Sequence, residues 1–180
     1  LALQRNKTAL KCILEISGKK IICDSSKDSK RLDVLLGSKL FNVKVIYLVR
    51  DGRAIVHSYR RKYGSWWPGW FNLTSTDRSA RRLKAKFGSK NWITVRYEDM
   101  VTDLEGTLGK LCNFCGINFE SSMLYPDTSN FNGLGGNKLL NRPIESIKLD
   151  AAWETEMPTL VRSFTNITVS GYNRRYGYKN

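Results

Sequence analysis

Apolar positions recur along the chain with two different spacings, and the alternation between them predicts its elements. Leu3, Leu10, Ile13, Leu14 and Ile16, with Lys and Arg between them, suit an amphipathic helix over residues 3–17 that Gly18 ends. Lys20-Ile-Ile-Cys23 predicts a short buried strand, and after Asp24-Ser-Ser-Lys27 a short helix runs to about Leu36, with Gly37 as its stop. Val43 to Val49 is the clearest strand, apolar on both faces as the centre of a parallel sheet requires. Asp51-Gly52 opens the next helix, which continues through Arg61. Gly64-Ser-Trp-Trp-Pro-Gly-Trp70, dense in aromatics and turn formers, predicts an exposed loop or lid. A basic helix from Asp77 to Phe87, a strand from Trp92 to Arg96 and a helix over about residues 104–115 follow. Beyond Gly116 come a short helix near Glu120 to Leu124, a loop over residues 132–138, and helices from about Ile147 to Glu156 and from Pro158 onward. Strands alternating with helices imply right-handed crossovers, hence an α/β fold with a parallel sheet flanked by helices.

Composition narrows the class. At 180 residues, 41% hydrophobic and 26% charged, the chain is one domain or part of one, able to bury an ordinary core. No window approaches 18 apolar residues, so no membrane span is expected in this chain. Leu1 stands where an initiator Met would, and helix begins almost at once. The expectation is a single partial domain over residues 1–180 whose upstream part can hold a targeting signal or an anchor.

The net charge of +14 is unevenly spread: residues 1–90 carry an excess of +15 and the remainder −1. That asymmetry points the first half at a polyanion or a nucleotide, although scattered lysines such as Lys7, Lys11, Lys39 and Lys44 read as ordinary solvated surface. Cys112-Asn-Phe-Cys115 has CxxC spacing inside a helical apolar pattern, with no second Cys or His pair. Buried thiols are expected there, and no metal site.

In an open parallel sheet the site lies beyond the carboxyl ends of the strands, where helix N-termini offer free N–H groups. Asp24-Ser-Ser-Lys27, Arg50-Asp-Gly-Arg53 and Tyr97-Glu-Asp99 converge there. Arg50, ending the central strand, and Ser58, on the helix that follows, can hold one phosphate from two rigid elements. His57 points about 100° away from Ser58 around that helix and is expected to face a packing partner. Glu98 and Asp99 read as caps that fix the strand end. Asp24 reads either as a base or as the cap of its own turn through the Ser26 N–H.

The segment Ile46-Tyr-Leu-Val-Arg-Asp-Gly-Arg-Ala-Ile-Val-His-Ser58, followed by Val95-Arg-Tyr-Glu-Asp-Met-Val101, resembles the PAPS-dependent sulfotransferases, carbohydrate-type and bacterial members included. The resemblance spans roughly residues 8–178 and implies a P-loop-like three-layer α/β/α fold. It assigns the 3′-phosphate of PAPS to Arg50 and Ser58, and the adenine to Tyr97. Gly135-Gly-Asn-Lys138 is similar to the family's late loop that closes over the nucleotide, giving Asn137 and Lys138 cofactor roles; Lys138 stands where the family usually has Arg. Ile22-Cys-Asp-Ser-Ser-Lys27 looks like the strand end facing the acceptor, which places Ser26 at the substrate and Lys27 at the transferring sulfuryl group or, equally, in solvent.

The implied chemistry is in-line attack of an acceptor hydroxyl or amine on sulfur, with PAP leaving and cationic groups carrying the developing charge. The acceptor would be a carbohydrate, a tyrosyl group or a small molecule. The family's Gly/Ser/Thr-rich phosphosulfate loop, with its strand and helix, is absent from the sequence and is expected upstream. Trp67, with Trp66, Trp70, Tyr63 and Phe71, either stacks on the acceptor or folds its loop onto the core. The competing reading is an inactive relative that binds PAP or polyanions through the basic half. No base-stacking or groove-reading motif supports a nucleic-acid module. A bacterial cytoplasm and a Golgi lumen fit equally.

Overall fold

The computed structural model describes residues 2–125 and 148–179, which form two compact units: Leu1–Val45 with Thr76–Trp92, and Ile46–Ser75 with Ile93–Asn180. Among the described residues no helix is long and apolar enough to cross a membrane.

In the first unit α1 (Ala2–Ser17) ends at Gly18, whose φ of 63° is the left-handed turn that glycine adopts without strain. Residues 19–28 are irregular, so the strand expected over residues 20–23 is not formed. Two isoleucines cannot make a strand without a neighbour for their backbone groups; here Ile21 is 55% exposed and no strand of this unit pairs with it among the described residues. Asp28 caps α2 (Ser29–Ser38), its Oδ1 accepting from Lys30 N at 2.8 Å and Arg31 N at 3.2 Å. This helix runs through Gly37, the expected stop, and closes at Lys39 in the left-handed conformation. The Ser38 hydroxyl ties its last turn by donating to Leu35 O at 2.7 Å.

The second unit holds the sheet: β1 (Val45–Val49) and β2 (Trp92–Arg96) lie side by side and parallel, flanked by helices, an α/β arrangement as the strand–helix alternation predicts. β1 begins two residues later than expected. Its apolar run is covered on one face only by described residues: Val49 is buried, whereas Ile46 and Leu48 are 45% and 51% exposed. After β1 come α3 (Gly52–Tyr63) and α4 (Trp67–Phe87); after β2 come α5 (Tyr97–Thr102), α6 (Leu104–Cys115) and a 3-10 turn at Ser121–Leu124. In α6 Cys112 is buried, its Sγ 3.6 Å from Met123 Sδ. Of the helix expected over residues 147–156, the described residues 148–152 are not helical and Trp153–Glu156 form α7; α8 (Thr159–Arg175) follows.

Of the tryptophan-rich stretch only residues 64–66 form a loop; from Trp67 it is the start of a helix. Pro68 sits in the first turn of α4, where a missing N–H costs nothing. Gly69 serves close packing rather than a turn, since a Cβ there would lie 2.8 Å from Val56 Cα on α3. Turn formers and helix starters are the same residues, and only the tertiary contact separates the two readings.

The core of this unit gathers Val49, Val56, Leu73, Val169, Tyr172 and Tyr178. Set into it is Asn173, fully buried on α8, whose Oδ1 accepts from Gly52 N at 2.9 Å and whose Nδ2 donates to Asp51 Oδ1 at 3.3 Å. Gly52 suits this close packing, since a Cβ would crowd Asn173, Val169 and Leu73 at 3.0–3.1 Å. Replacing Asn173 with Ala leaves buried polar groups unsatisfied and should cost on the order of 2–3 kcal/mol, a drop of about 4–12 °C in Tm. Exposed Ser163→Ala on the same helix should move Tm little; equal Tm values for the two variants in thermal denaturation would refute the clamp.

Candidate functional site

The site grows from the turn between β1 and α3. Asp51 caps α3 through Arg53 N at 2.8 Å and holds the Arg53 guanidinium in a fork, Nε–Oδ1 2.9 Å and Nη2–Oδ2 2.6 Å. Its own N–H donates to Glu98 Oε1 at 3.1 Å, while Tyr178 OH donates to Glu98 Oε2 at 2.5 Å. Burial and the Glu98 charge push the Tyr178 hydroxyl well above the usual phenol range, so it stays a donor. Tyr172 OH donates to Arg50 O at 3.1 Å. The turn at the carboxyl end of β1 is therefore tied to α3, to Glu98 on α5 and to α8 together.

Arg50 projects from this mount and stacks on Tyr97, the guanidinium carbon 4.7 Å from the ring centre. Its Nη2 donates to Asp150 O at 2.6 Å and lies 3.4 Å from Asp150 Oδ2, and its buried Nε has no partner among the described residues. Tyr97 OH donates to Lys148 O at 3.3 Å. Burial raises the Asp150 carboxyl, but the Ala152 N–H and the Arg50 and Arg61 charges outweigh it and hold the group below the usual carboxylate range. The structure thus brings Arg50 and Tyr97 together. Ser58 is half-buried on α3, and the polar contacts of Arg50 are with Asp150 rather than with that hydroxyl.

His57 is buried beside Trp66, ring centres 6.0 Å apart, with Nε2 3.3 Å from Glu156 Oε2. Desolvation lowers its pKa below the usual 6.5 in spite of the Glu156 charge. Trp66 and Trp70 pack on the core, Trp70 against Phe164 at 5.1 Å, whereas Trp67 and Phe71 are 70% and 76% exposed. The core-folding reading thus holds for Trp66 and Trp70, while Trp67 and Phe71 are left at the surface.

Ser26 and Lys27 belong to the first unit. There Asp24 caps its turn, Oδ1 accepting from Ser26 N at 3.0 Å, and pairs with Arg31 Nε at 2.6 Å through Oδ2. The Arg31 and Ser26 hydrogen bonds lower the Asp24 pKa to about 2, which makes it a poor base. Lys27 takes the left-handed conformation, φ 59°, at a cost of about 1 kcal/mol for a side-chain-bearing residue. An open cleft beside this turn is lined by Leu10, Ile13, Ile22, Asp24, Ser26 and Arg31. Asn137 and Lys138 lie outside the described residues.

Sequence reasoning missed Asn173, Asp150 and Arg61. Asn173 had a signal, a polar residue in the buried stripe Thr165, Val169, Tyr172 of α8. Asp150 and Arg61 had none, since their meeting with Arg50 depends on chain segments far apart in sequence.

The chemistry around Arg50 suits an anionic group. A buried guanidinium nitrogen of Arg50 lacks a partner among the described residues, the same guanidinium is already ion-paired with a carboxylate, and an aromatic ring lies against it. The buried imidazole carries a separate prediction. Because His57 binds its proton less readily folded than unfolded, stability is intact above 6.5 and is lost as pH falls below it. As His57 is the chain's one His, Tm should decline from pH 7 to about 5.5, before most carboxylates titrate, and His57→Gln should flatten that decline. Identical slopes for both proteins would show that the imidazole is not the source.

Comparison with known proteins bears on the same elements. The profile of the sulfotransferase family matches residues 13–121, well over half of the 180. Among solved structures the chain is similar to a sulfotransferase domain from the curacin biosynthetic pathway, with a TM-score of 0.68 and 19% identity, covering 96% of this chain and 68% of that one. It is also similar to the sulfotransferase domain from the Synechococcus PCC 7002 olefin synthase, with a TM-score of 0.64 and 23% identity, covering 86% of this chain and 56% of that one. At such identities the likeness establishes the fold. None of the curated proteins matches the sequence. With the profile running from within α1 through the Arg50 turn, β2 and α6 to the start of the 3-10 turn, and with both structural likenesses being sulfotransferase domains, the chain belongs to the sulfotransferase family.

Proposed function

We propose that residues 1–180 act as one domain that takes part in sulfuryl transfer from PAPS to a hydroxyl or amine acceptor. The observation that carries this reading is Arg50: fixed at the end of β1, stacked on Tyr97, ion-paired with a carboxylate, and retaining one buried donor without a partner among the described residues. Arg50 and Ser58 would hold the 3′-phosphate and Tyr97 the adenine, with Asn137 and Lys138 closing over the nucleotide.

In the reaction the acceptor oxygen or nitrogen forms its bond to sulfur while the bond from sulfur to the 5′-phosphate oxygen breaks. PAP leaves with that electron pair, and the acceptor proton passes to solvent or to a base. We assign Lys27 to the charge that develops on the transferring group and Ser26 to the acceptor. The strained, exposed pose of Lys27 on its turn favours a functional reason for that conformation. Exposed Trp67, beside Phe71, suits an aromatic platform for a sugar or ring-bearing acceptor. A second reading, binding of PAP or a polyanion without turnover, draws on the +15 excess of residues 1–90; a sulfated product from PAPS would exclude it.

PAP at a hundred times its Kd should stabilise the protein by about 2.7 kcal/mol, or roughly 5–10 °C in Tm. Arg50→Ala should remove the shift. A shift of the same size in that variant, or none in the parent protein, would overturn the assignment. Trp67→Ala should raise the acceptor KM several-fold and leave PAP affinity unchanged; an equal loss of both would remove Trp67 from the acceptor site.

A further inference from the structure

We infer that Arg61 is a second guanidinium of the anion site, and that the Asp150 carboxylate holds this site in the free protein until the nucleotide 3′-phosphate displaces it. The inference rests on the reading of Arg50 given above and extends it to two residues for which the sequence suggested no role.

The geometry centres on one oxygen. Asp150 Oδ2 lies 3.4 Å from Arg50 Nη2 and 3.2 Å from Arg61 Nη2, so guanidinium groups from the end of β1 and from the last turn of α3 converge on a single anionic atom. Ser58 stands three residues before Arg61 on α3, a spacing that places both on one helix face. The hydroxyl assigned to the phosphate and the newly assigned guanidinium are therefore neighbours. A phosphate monoester brings three acceptor oxygens and a charge near −2, against two oxygens and −1 for a carboxylate, and so can engage more of these donors. Asp150 also leaves the buried Arg50 Nε unsatisfied among the described residues, as expected of an occupant that fits the site incompletely.

Asp150 is carried by a strap that lies over the residues assigned to the nucleotide. Lys148 O receives the Tyr97 hydroxyl at 3.3 Å, Trp153 lies under the Arg53 guanidinium at 4.3 Å, and Glu156 meets His57 at 3.3 Å. The ion pairs of Asp150 are partly solvent-exposed, with side-chain exposures of 36% for Asp150, 50% for Arg61 and 21% for Arg50. Pairs in that setting are weak and exchangeable. A ligand that must first open such a contact binds with an apparent affinity reduced by the fraction of protein already open.

The test is calorimetric titration of PAP, and of 5′-AMP, which lacks the 3′-phosphate, into the parent protein and the Arg50→Ala, Arg61→Ala, Arg61→Lys and Asp150→Asn variants. Arg61→Ala should weaken PAP about tenfold, the scale of one charge-assisted hydrogen bond, and leave 5′-AMP unchanged. Arg61→Lys should recover part of that loss. Asp150→Asn should tighten PAP about three- to fivefold, as release of a partly exposed ion pair allows, and the gain should shrink when Arg61→Ala is added. PAP binding unchanged by Arg61→Ala but lost in Arg50→Ala would overturn the role of Arg61 and leave the reading of Arg50 standing. Weaker PAP binding in Asp150→Asn would overturn the competition and make Asp150 a scaffold. No effect of Arg50→Ala, or no PAP binding by the parent protein, would overturn the Arg50 reading, and this inference with it.

Discussion

The contact on which the second unit depends is the one between the Asn173 side chain and the backbone of the Asp51-Gly52 turn. A helix N-terminus leaves N–H groups without intrahelical partners, and burial makes each of them costly. Here Asp51 satisfies Arg53 N, and Asn173, arriving from a helix 121 residues away in sequence, satisfies Gly52 N. The absence of a Cβ at position 52 lets Asn173 approach this closely without displacing its neighbours. Once α8 is seated, Tyr172 and Tyr178 fall into place on Arg50 O and Glu98, and the end of β1 is bound to three elements. The direction in which Arg50 points follows from that arrangement.

The two arginines of the turn illustrate how a fold separates structure from chemistry. Arg53 is saturated: a carboxylate fork from Asp51, Lys179 O at 2.7 Å, and the Trp153 ring. A guanidinium so occupied is a bolt for the turn and has little left to offer a ligand. Arg50, three residues earlier, keeps a donor without a partner among the described residues, and its fork rests on a partly exposed carboxylate. In a unit with this many cations, the useful distinction is which guanidinium still has uncommitted donors, and the sequence alone cannot make it.

The parts of the fold that could be read from sequence are those decided locally. α3, β2 and α6 have strong neighbouring signals: Asp51 before α3 and Gly64 after it, a β-branched run in Trp92–Arg96, and Asp103 and Gly116 at the ends of α6. The errors fall where a residue has two local meanings. Gly37 stops some helices and continues this one, where the Phe87 ring lies 3.8 Å from the position a Cβ would take. Pro68 and Gly69 spell a turn, yet they start α4 because Gly69 admits the α3 backbone. Ile21 and Ile22 have strand composition, but a strand is a property of a pair, and composition does not supply the partner.

Within the candidate site the same division holds and has a physical cause. Arg50 and Tyr97 were visible because each ends a strand, and the end of a parallel strand has a fixed topological meaning. Their contact with one another follows from β1 and β2 being neighbours, so it too was implicit in the strand pattern. Asp150 was invisible because among the described residues its local hold is the Ala152 N–H, and its place is set by two arginines 100 and 89 residues away. Such a residue has no periodicity, cap or motif to announce it. The side chains that build a binding site are fixed by rigid elements and leave a pattern, whereas those that occupy or release it must be loosely held, and loose attachment is what leaves no pattern behind.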